Sequence, residues 1–295
     1  MTRGCRTRVR VTAPEAALDG QPGQLLLYRS ISTMDDYLEA NRSLWNGWAT
    51  LNSASRFYDV AGFRAGASNL KEIELEAVGD VEGRDLLHLQ CHIGLDTLSW
   101  ARRGARVTGV DFSENATSIA RSLADELALP AEFLCSEVTR LPPTWTDRFD
   151  LVFSSYGVLP WLPDLELWAS TIQRVLRPGG SFHLIEFHPF AAMLGNDREL
   201  AYPYFHSATP LRQDVKGSYA DPEAAFFHTS FEWAHTLSDL FTALTSAGLT
   251  MRHFREYPYS PFGCFPCLEE RSAGRWIVRA SPVDVPLVFS VHATK

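Results

Sequence analysis

Residues 86–111 read LLHLQCHIGLDTLSWARRGARVTGVD. An apolar run from Leu86 to Leu89 stops at Gln90, Cys91 and His92. After Gly94 the pattern turns amphipathic, and a second apolar run closes on Asp111. This is the outline of strand, tight turn, helix and strand. Such a turn aims the unpaired N–H groups of a helix start at a ligand. A turn that embraces a pyrophosphate uses three glycines, for the bend, for close approach and for helix packing. In QCHIGL those places hold Gln90, His92 and Leu95, so the turn suits a ligand without phosphates.

The same alternation continues outward. Strands are expected at 86–90, 106–110, 132–135, 149–154 and 181–187, with helices at 95–103, 113–129 and 165–176. This rhythm predicts an α/β fold whose parallel sheet is covered by helices on both faces. It breaks at 188–235, where Pro, Gly and aromatic residues follow no period, and that stretch reads as an inserted cap. A helix at 236–247 ends before Gly248, where helices often stop, and strands are expected at 250–257 and 286–292. Upstream, residues 35–58 carry Tyr37, Leu44, Trp45, Trp48 and Leu51 near one helical face, and 34–80 reads as a helical lid. Residues 1–33, Arg-rich and then Pro- and Gly-rich, read as a disordered extension ahead of a domain at 34–295.

Composition narrows the partners. The 295 residues carry a net charge of −8, and the first ten hold four arginines and no acid, leaving 23 basic against 35 acidic groups elsewhere. An acidic body disfavours nucleic acid. No apolar run approaches the ~20 residues of a membrane span, and no secretory signal is visible. Five cysteines, an odd number, point to reduced thiols in a cytoplasm.

Everything chemically suggestive falls at the carboxyl ends of the strands, where open sheets bind ligands. Gln90–Gly94, Asp111, Ser136–Glu137 and Ser154–Tyr156 converge there. An acid ending the second strand, about twenty residues after the turn, commonly accepts from ribose hydroxyls, and Asp111 occupies that place. With the segments FDLVFSSYGVLPWLPD and RVLRPGGSFHLIEFHPF, the opening stretch resembles, in order and spacing, the motifs of class I S-adenosylmethionine-dependent methyltransferases over residues 86–190. The resemblance implies a Rossmann-like, seven-stranded, mostly parallel sheet with an antiparallel last strand, and S-adenosylmethionine as cofactor. It implies that Gln90, Cys91, His92 and Gly94 line the methionine moiety and that Phe112 packs on adenine. Ser136, Glu137 and Val138 would hold the adenine edge, with Ser154 near the sulfonium. His88, Gln90 and His92 depart from the usual DxGxGxG pattern and resemble an HLQCH-type variant.

Metal chemistry is not expected: His88 and Cys91 stand on opposite strand faces, and Cys264-Phe-Pro-Cys267 has no second pair. Candidate bases cluster after the fifth strand, Glu186 and His188, with His228 and His235 further along; Tyr156 and Trp161 follow the fourth strand, where the resemblance places the acceptor, and Tyr156 joins Glu186 and His188 as a candidate catalytic residue. Ten aromatic residues and a single lysine between Phe187 and Trp233 favour a small hydrophobic metabolite, such as a natural product, as substrate. A cyclase, a non-transferring binding module, or methylation coupled to cyclisation remain alternatives on the same fold. The 35–58 helix also leaves room for a homo-oligomer with a swapped lid.

Overall fold

The computed structural model describes residues 33–295. The expected disordered extension lies outside them apart from Thr33, which caps the first helix: its hydroxyl accepts from the Asp36 N–H at 3.2 Å. Three helices precede the sheet, α1 (Met34–Ala54), α2 (Val60–Arg64) and α3 (Glu72–Val78). The core then runs β1 (Asp85–Leu89), α4 (Leu95–Arg102), β2 (Arg106–Asp111), α5 (Glu114–Glu126), β3 (Ala131–Cys135), β4 (Phe149–Ser155), α6 (Leu165–Val175) and β5 (Leu176–Phe187). After a short α7 (Pro189–Ala192) comes a hairpin of β6 (Leu211–Lys216) and β7 (Phe227–Glu232). The chain closes with α8 (Leu237–Ser246), β8 (Thr250–Tyr257), a second hairpin of β9 (Leu268–Ser272) and β10 (Arg275–Val278), and β11 (Val288–Thr294).

Seven strands form one sheet in the order β3-β2-β1-β4-β5-β11-β8. The first five neighbours pair in parallel, and β11 runs antiparallel to both β5 and β8. Near-continuous burial along β1, β2 and β4 is what a sheet covered on both faces demands. On one face α6 and α8 bring Trp168, Ile172 and Leu244 against Phe149, Phe182 and Phe289. On the other, Trp100 packs with Leu86, Phe153 and Ile185.

Two details depart from expectation. Ile73 and Val78 of α3 join that second core cluster, so α3 packs on the sheet, while Trp45 and Trp48 of α1 and Phe57, Tyr58 and Asn69 after it reach the strand ends. The two hairpins are built of strands four to six residues long and partly exposed, and outside β6 they show no alternation to read from sequence.

α1 is tied to the first hairpin. The Asn41 amide donates to the Phe231 carbonyl at 2.7 Å and accepts the Phe231 N–H at 2.9 Å. Trp48 donates its indole N–H to the Gly217 carbonyl at 2.8 Å, and a Cβ at Gly47 would run into the Phe226 ring. Helix and hairpin therefore form one cover.

Candidate active site

The turn after β1 explains how it dispenses with glycines. Gln90 and His92 adopt left-handed backbone, φ +56° and +49°, and Gly94 follows at +79°. Left-handed geometry costs an ordinary residue about 1–2 kcal/mol, and here side chains offset that cost. The Gln90 amide donates to the Val158 carbonyl at 2.9 Å. The His92 Nε2 lies 3.1 Å from the Asn52 amide nitrogen, and its ring meets Trp45 and Tyr58 with centroids 5.2 Å away. Gly94 is required for a different reason: a Cβ there would sit 2.8 Å from that of Ala120 and 3.0 Å from the Phe133 ring.

Asp111 is buried, and its two oxygens accept from the backbone N–H groups of His92 (2.8 Å) and Ser113 (2.9 Å). These bonds fix the carboxylate while leaving lone pairs for a ligand. Burial outweighs them and raises its pKa to about 6. Two chambers open along the strand ends, one of about 160 Å³ and one of about 710 Å³, and Gln90, Phe112 and Trp161 line both. Cys91, His92, Gly94, Asp111 and Tyr156 line the smaller chamber; Ser136, Glu137 and Val138 line the larger. The Glu137 carboxylate is held by Arg42 of α1 and by Arg140, each at 3.1 Å. The burial of Cys91 raises its thiol pKa well above the ordinary value, so it is a neutral wall.

Three expected residues stand elsewhere. Ser154 is fully buried with its hydroxyl 3.4 Å from the Leu89 carbonyl, and lines neither chamber. Adjacent strand residues face opposite ways, and it is Ser155 that reaches the cavity and bonds Asp96 at 3.3 Å. Glu186 lines neither of these chambers but a third of about 80 Å³, with Leu159, Phe187, Trp233 and His235. Its carboxylate accepts the backbone N–H groups of Gly157, Val158 (2.7 Å), Leu159 (3.0 Å) and Phe187 (2.6 Å), the work of a brace rather than a base. His188 accepts the Phe190 N–H at 3.0 Å and places Nε2 3.0 Å from Glu256, capping α7 away from the cavity. Of the three candidate catalytic residues Tyr156 alone lines the smaller chamber, at φ +43° with its hydroxyl buried. Burial and the neighbouring Glu74 raise that phenol well above its ordinary value. Among the other candidates, His235 donates its Nε2–H to the Leu162 carbonyl (2.7 Å), and His228 meets Ser43 at 3.1 Å.

The sequence reading missed Asp96, in the first turn of α4. It is half-buried, lines the smaller chamber and accepts from the Asn69 amide at 2.5 Å. Burial raises its pKa. An acid in a helix's first turn beside a ligand-facing turn was the available signal. Behind it lies Glu74, 1% exposed, pushed up to about 8 by burial and by Asp96. His88, where the resemblance expects an acid, is neutral: burial lowers its pKa to about 3, and Nδ1 meets the Thr97 hydroxyl at 2.8 Å. Among the described residues no group of three His, Cys, Asp or Glu side chains could hold a metal ion, and Cys91, Cys135 and Cys267 are free thiols.

These groups fit a zwitterionic adenosyl sulfonium. There is a fixed carboxylate at the ribose position, an aromatic ring beside it, a helix start for a carboxylate and a second acid for an ammonium. A doubly wound sheet with a carboxylate-ended β2 and such a rim defines a nucleoside-cofactor enzyme. Residues 87–184 match the family described as methyltransferase domain. A ubiquinone biosynthesis O-methyltransferase from Alkalilimnicola ehrlichii is 27% identical over 71% of this chain and 79% of its own. An S-adenosylmethionine dependent methyltransferase structure from Mesorhizobium loti superposes with TM-score 0.51 at 20% identity, over 79% of this chain and 100% of that one. Geranyl diphosphate C-methyltransferase from Streptomyces coelicolor gives 0.55 at 14% identity, over 88% and 97%. The chain is a class I S-adenosylmethionine-dependent methyltransferase, and S-adenosylmethionine is its cofactor.

Because an ionised Asp111 is the stronger acceptor for ribose hydroxyls, cofactor affinity is expected to be flat above pH 7 and to weaken as pH falls through about 6. The unliganded fold responds in the opposite sense. Its folded-state pKa is raised, so the stability this group contributes is present at low pH and lost as pH rises through about 6. Calorimetric titration with S-adenosylmethionine between pH 5 and 8 separates the two, and a pH-independent affinity would contradict the assignment.

Proposed function

We propose that this enzyme methylates a small, flat, largely apolar metabolite, such as a natural product, in the cytoplasm, with residues 188–235 as substrate cap and α1 as lid. What carries this reading is the wall of the smaller chamber: ten Phe, Trp and Tyr side chains and, among the described residues, no Lys or Arg. Such a wall suits one buried small molecule and gives a protein tail or nucleic acid no purchase. No helix among the described residues is long and apolar enough to cross a membrane.

In this reading Asp111 holds the ribose, Phe112 and Val138 flank the adenine, and Ser136 and Glu137 meet its polar edge. Asp96, replacing the acid absent at His88, takes the ammonium, and the start of α4 takes the carboxylate. The bound cofactor supplies a methyl group on a positively charged sulfur, open to in-line displacement. The chain's contribution is alignment, exclusion of water by the aromatic cover, and a neutral Tyr156 able to hold the acceptor by a hydrogen bond. Oxygen is the acceptor element that the relatives named for ubiquinone biosynthesis favour.

The test uses methyl-labelled S-adenosylmethionine, whose uptake is first measured by calorimetry, and a fractionated metabolite extract. Label is expected in a small, solvent-extractable product. Uptake of the cofactor with label in no product would instead support the cyclase or binding-module reading.

A further inference from the structure

Buried polar atoms almost always find partners, so those that lack one mark where a partner is missing. Side chains that line the smaller chamber carry five such atoms: Trp45 Nε1, His88 Nε2, Gln90 Oε1, His92 Nδ1 and Tyr156 Oη. His88 and Gln90 sit at the end of β1 and in the turn after it, and the Tyr156 hydroxyl meets Glu74, which leaves Trp45 and His92. The indole N–H can only donate. The His92 ring is neutral, since burial lowers its pKa to about 3. With Nε2 facing the Asn52 amide nitrogen, the ring proton falls on Nδ1, a second donor. Trp45 is also the hub of the ring cluster. It stands edge-to-face with Trp48, His92 and Trp161, centroids 5.1–5.2 Å apart.

Charge narrows the occupant further. The chamber's carboxylates are Asp96 and Asp111, with no Lys or Arg on its wall. Lys71, stacked 5.2 Å from the Phe262 ring, faces Asp96 and Glu74, so its charge is already matched. The protein wall therefore offers a buried anion no counter-charge beyond the cofactor's own sulfonium, and in the S-adenosylhomocysteine complex, where that charge is gone, burial of an anion costs several kcal/mol.

Resting on the methyl-transfer reading above, we propose that the acceptor substrate is an uncharged planar ring system bearing a hydrogen-bond-accepting oxygen or nitrogen on its edge. Trp45 and His92 meet that edge, and carboxylated or phosphorylated acceptors are excluded. The two donors fix the ring's rotation in its own plane, and the flanking aromatic faces fix the plane itself. Selectivity then comes from two N–H groups that are left unpaired by a purely hydrocarbon ring.

The experiment begins with uptake of S-adenosylhomocysteine by the full chain, then titrates the saturated protein with matched probes. 4-Hydroxyquinoline is expected to bind at least about tenfold tighter than 4-hydroxyquinoline-2-carboxylate. Trp45→Phe keeps a ring but removes the donor, and should weaken 4-hydroxyquinoline about fivefold while leaving naphthalene binding unchanged, given ~1 kcal/mol per neutral hydrogen bond. Equal or tighter binding of the carboxylate overturns the proposal. So does failure of 4-hydroxyquinoline to bind protein that has taken up S-adenosylhomocysteine, or a Trp45→Phe variant with unaltered preference. No uptake of S-adenosylhomocysteine at the first step would strike the methyl-transfer reading itself. Melting curves of both proteins establish that the variant is folded.

Discussion

Asp111→Ala is expected to weaken S-adenosylmethionine binding about 100-fold. Two ribose hydroxyls donating to an ionised carboxylate are worth ~1.5 kcal/mol each at the lower end, which sums to about two decades of affinity. The substitution also unpairs the backbone N–H groups of His92 and Ser113, so the turn that shapes the methionine end loosens with it. Asp111→Asn separates the two effects. It keeps the volume and one acceptor and sets its NH2 against only one of the two backbone N–H groups, so melting should fall less than in Asp111→Ala while affinity still falls by tenfold or more. Calorimetric titration beside thermal melting reads both quantities. Unchanged affinity in Asp111→Asn would remove this carboxylate from the cofactor's contacts.

The second large effect is on stability. Glu186→Ala is expected to cost about 3–5 kcal/mol, because it strands four backbone N–H groups in a buried setting. At ~2–4 °C per kcal/mol for a chain of this size, melting should fall by about 10 °C. The loop it braces, 157–159, carries Val158, whose carbonyl anchors Gln90, and so leads back to the cofactor turn. If Glu186 were instead a base acting on the acceptor, the variant would melt like the parent and lose turnover alone. Differential scanning calorimetry together with a turnover assay distinguishes these outcomes.

How much of this was legible beforehand differs from residue to residue. The run Leu86–Leu89, the turn at Gly94 and the run closing on Asp111 placed β1, α4 and β2 within a residue or two, since hydrophobic period and helix stops are written locally. The antiparallel final strand followed from the resemblance and is present as β11. Ser154 failed by one position, because strand parity near a strand's end depends on how the chain leaves the sheet. Glu186 and His188 failed differently: a carboxyl or imidazole at a strand's end looks the same in sequence whether its lone pairs are free or committed to neighbouring N–H groups. Asp96 escaped notice because its amide partner, Asn69, comes from a segment 27 residues away.

The sequence by itself determined the layered α/β scaffold, the position of its ligand-binding rim and the class of cofactor, all consequences of short-range pattern and motif order. Only the tertiary structure decided which side chains face the cavity and which brace it. It also decided how Gln90 and His92 manage without glycine's freedom, and that α1 and a distant hairpin make a single cover. Those outcomes depend on contacts between segments far apart in the chain, where burial and hydrogen-bond commitments are settled by packing rather than by neighbours in sequence.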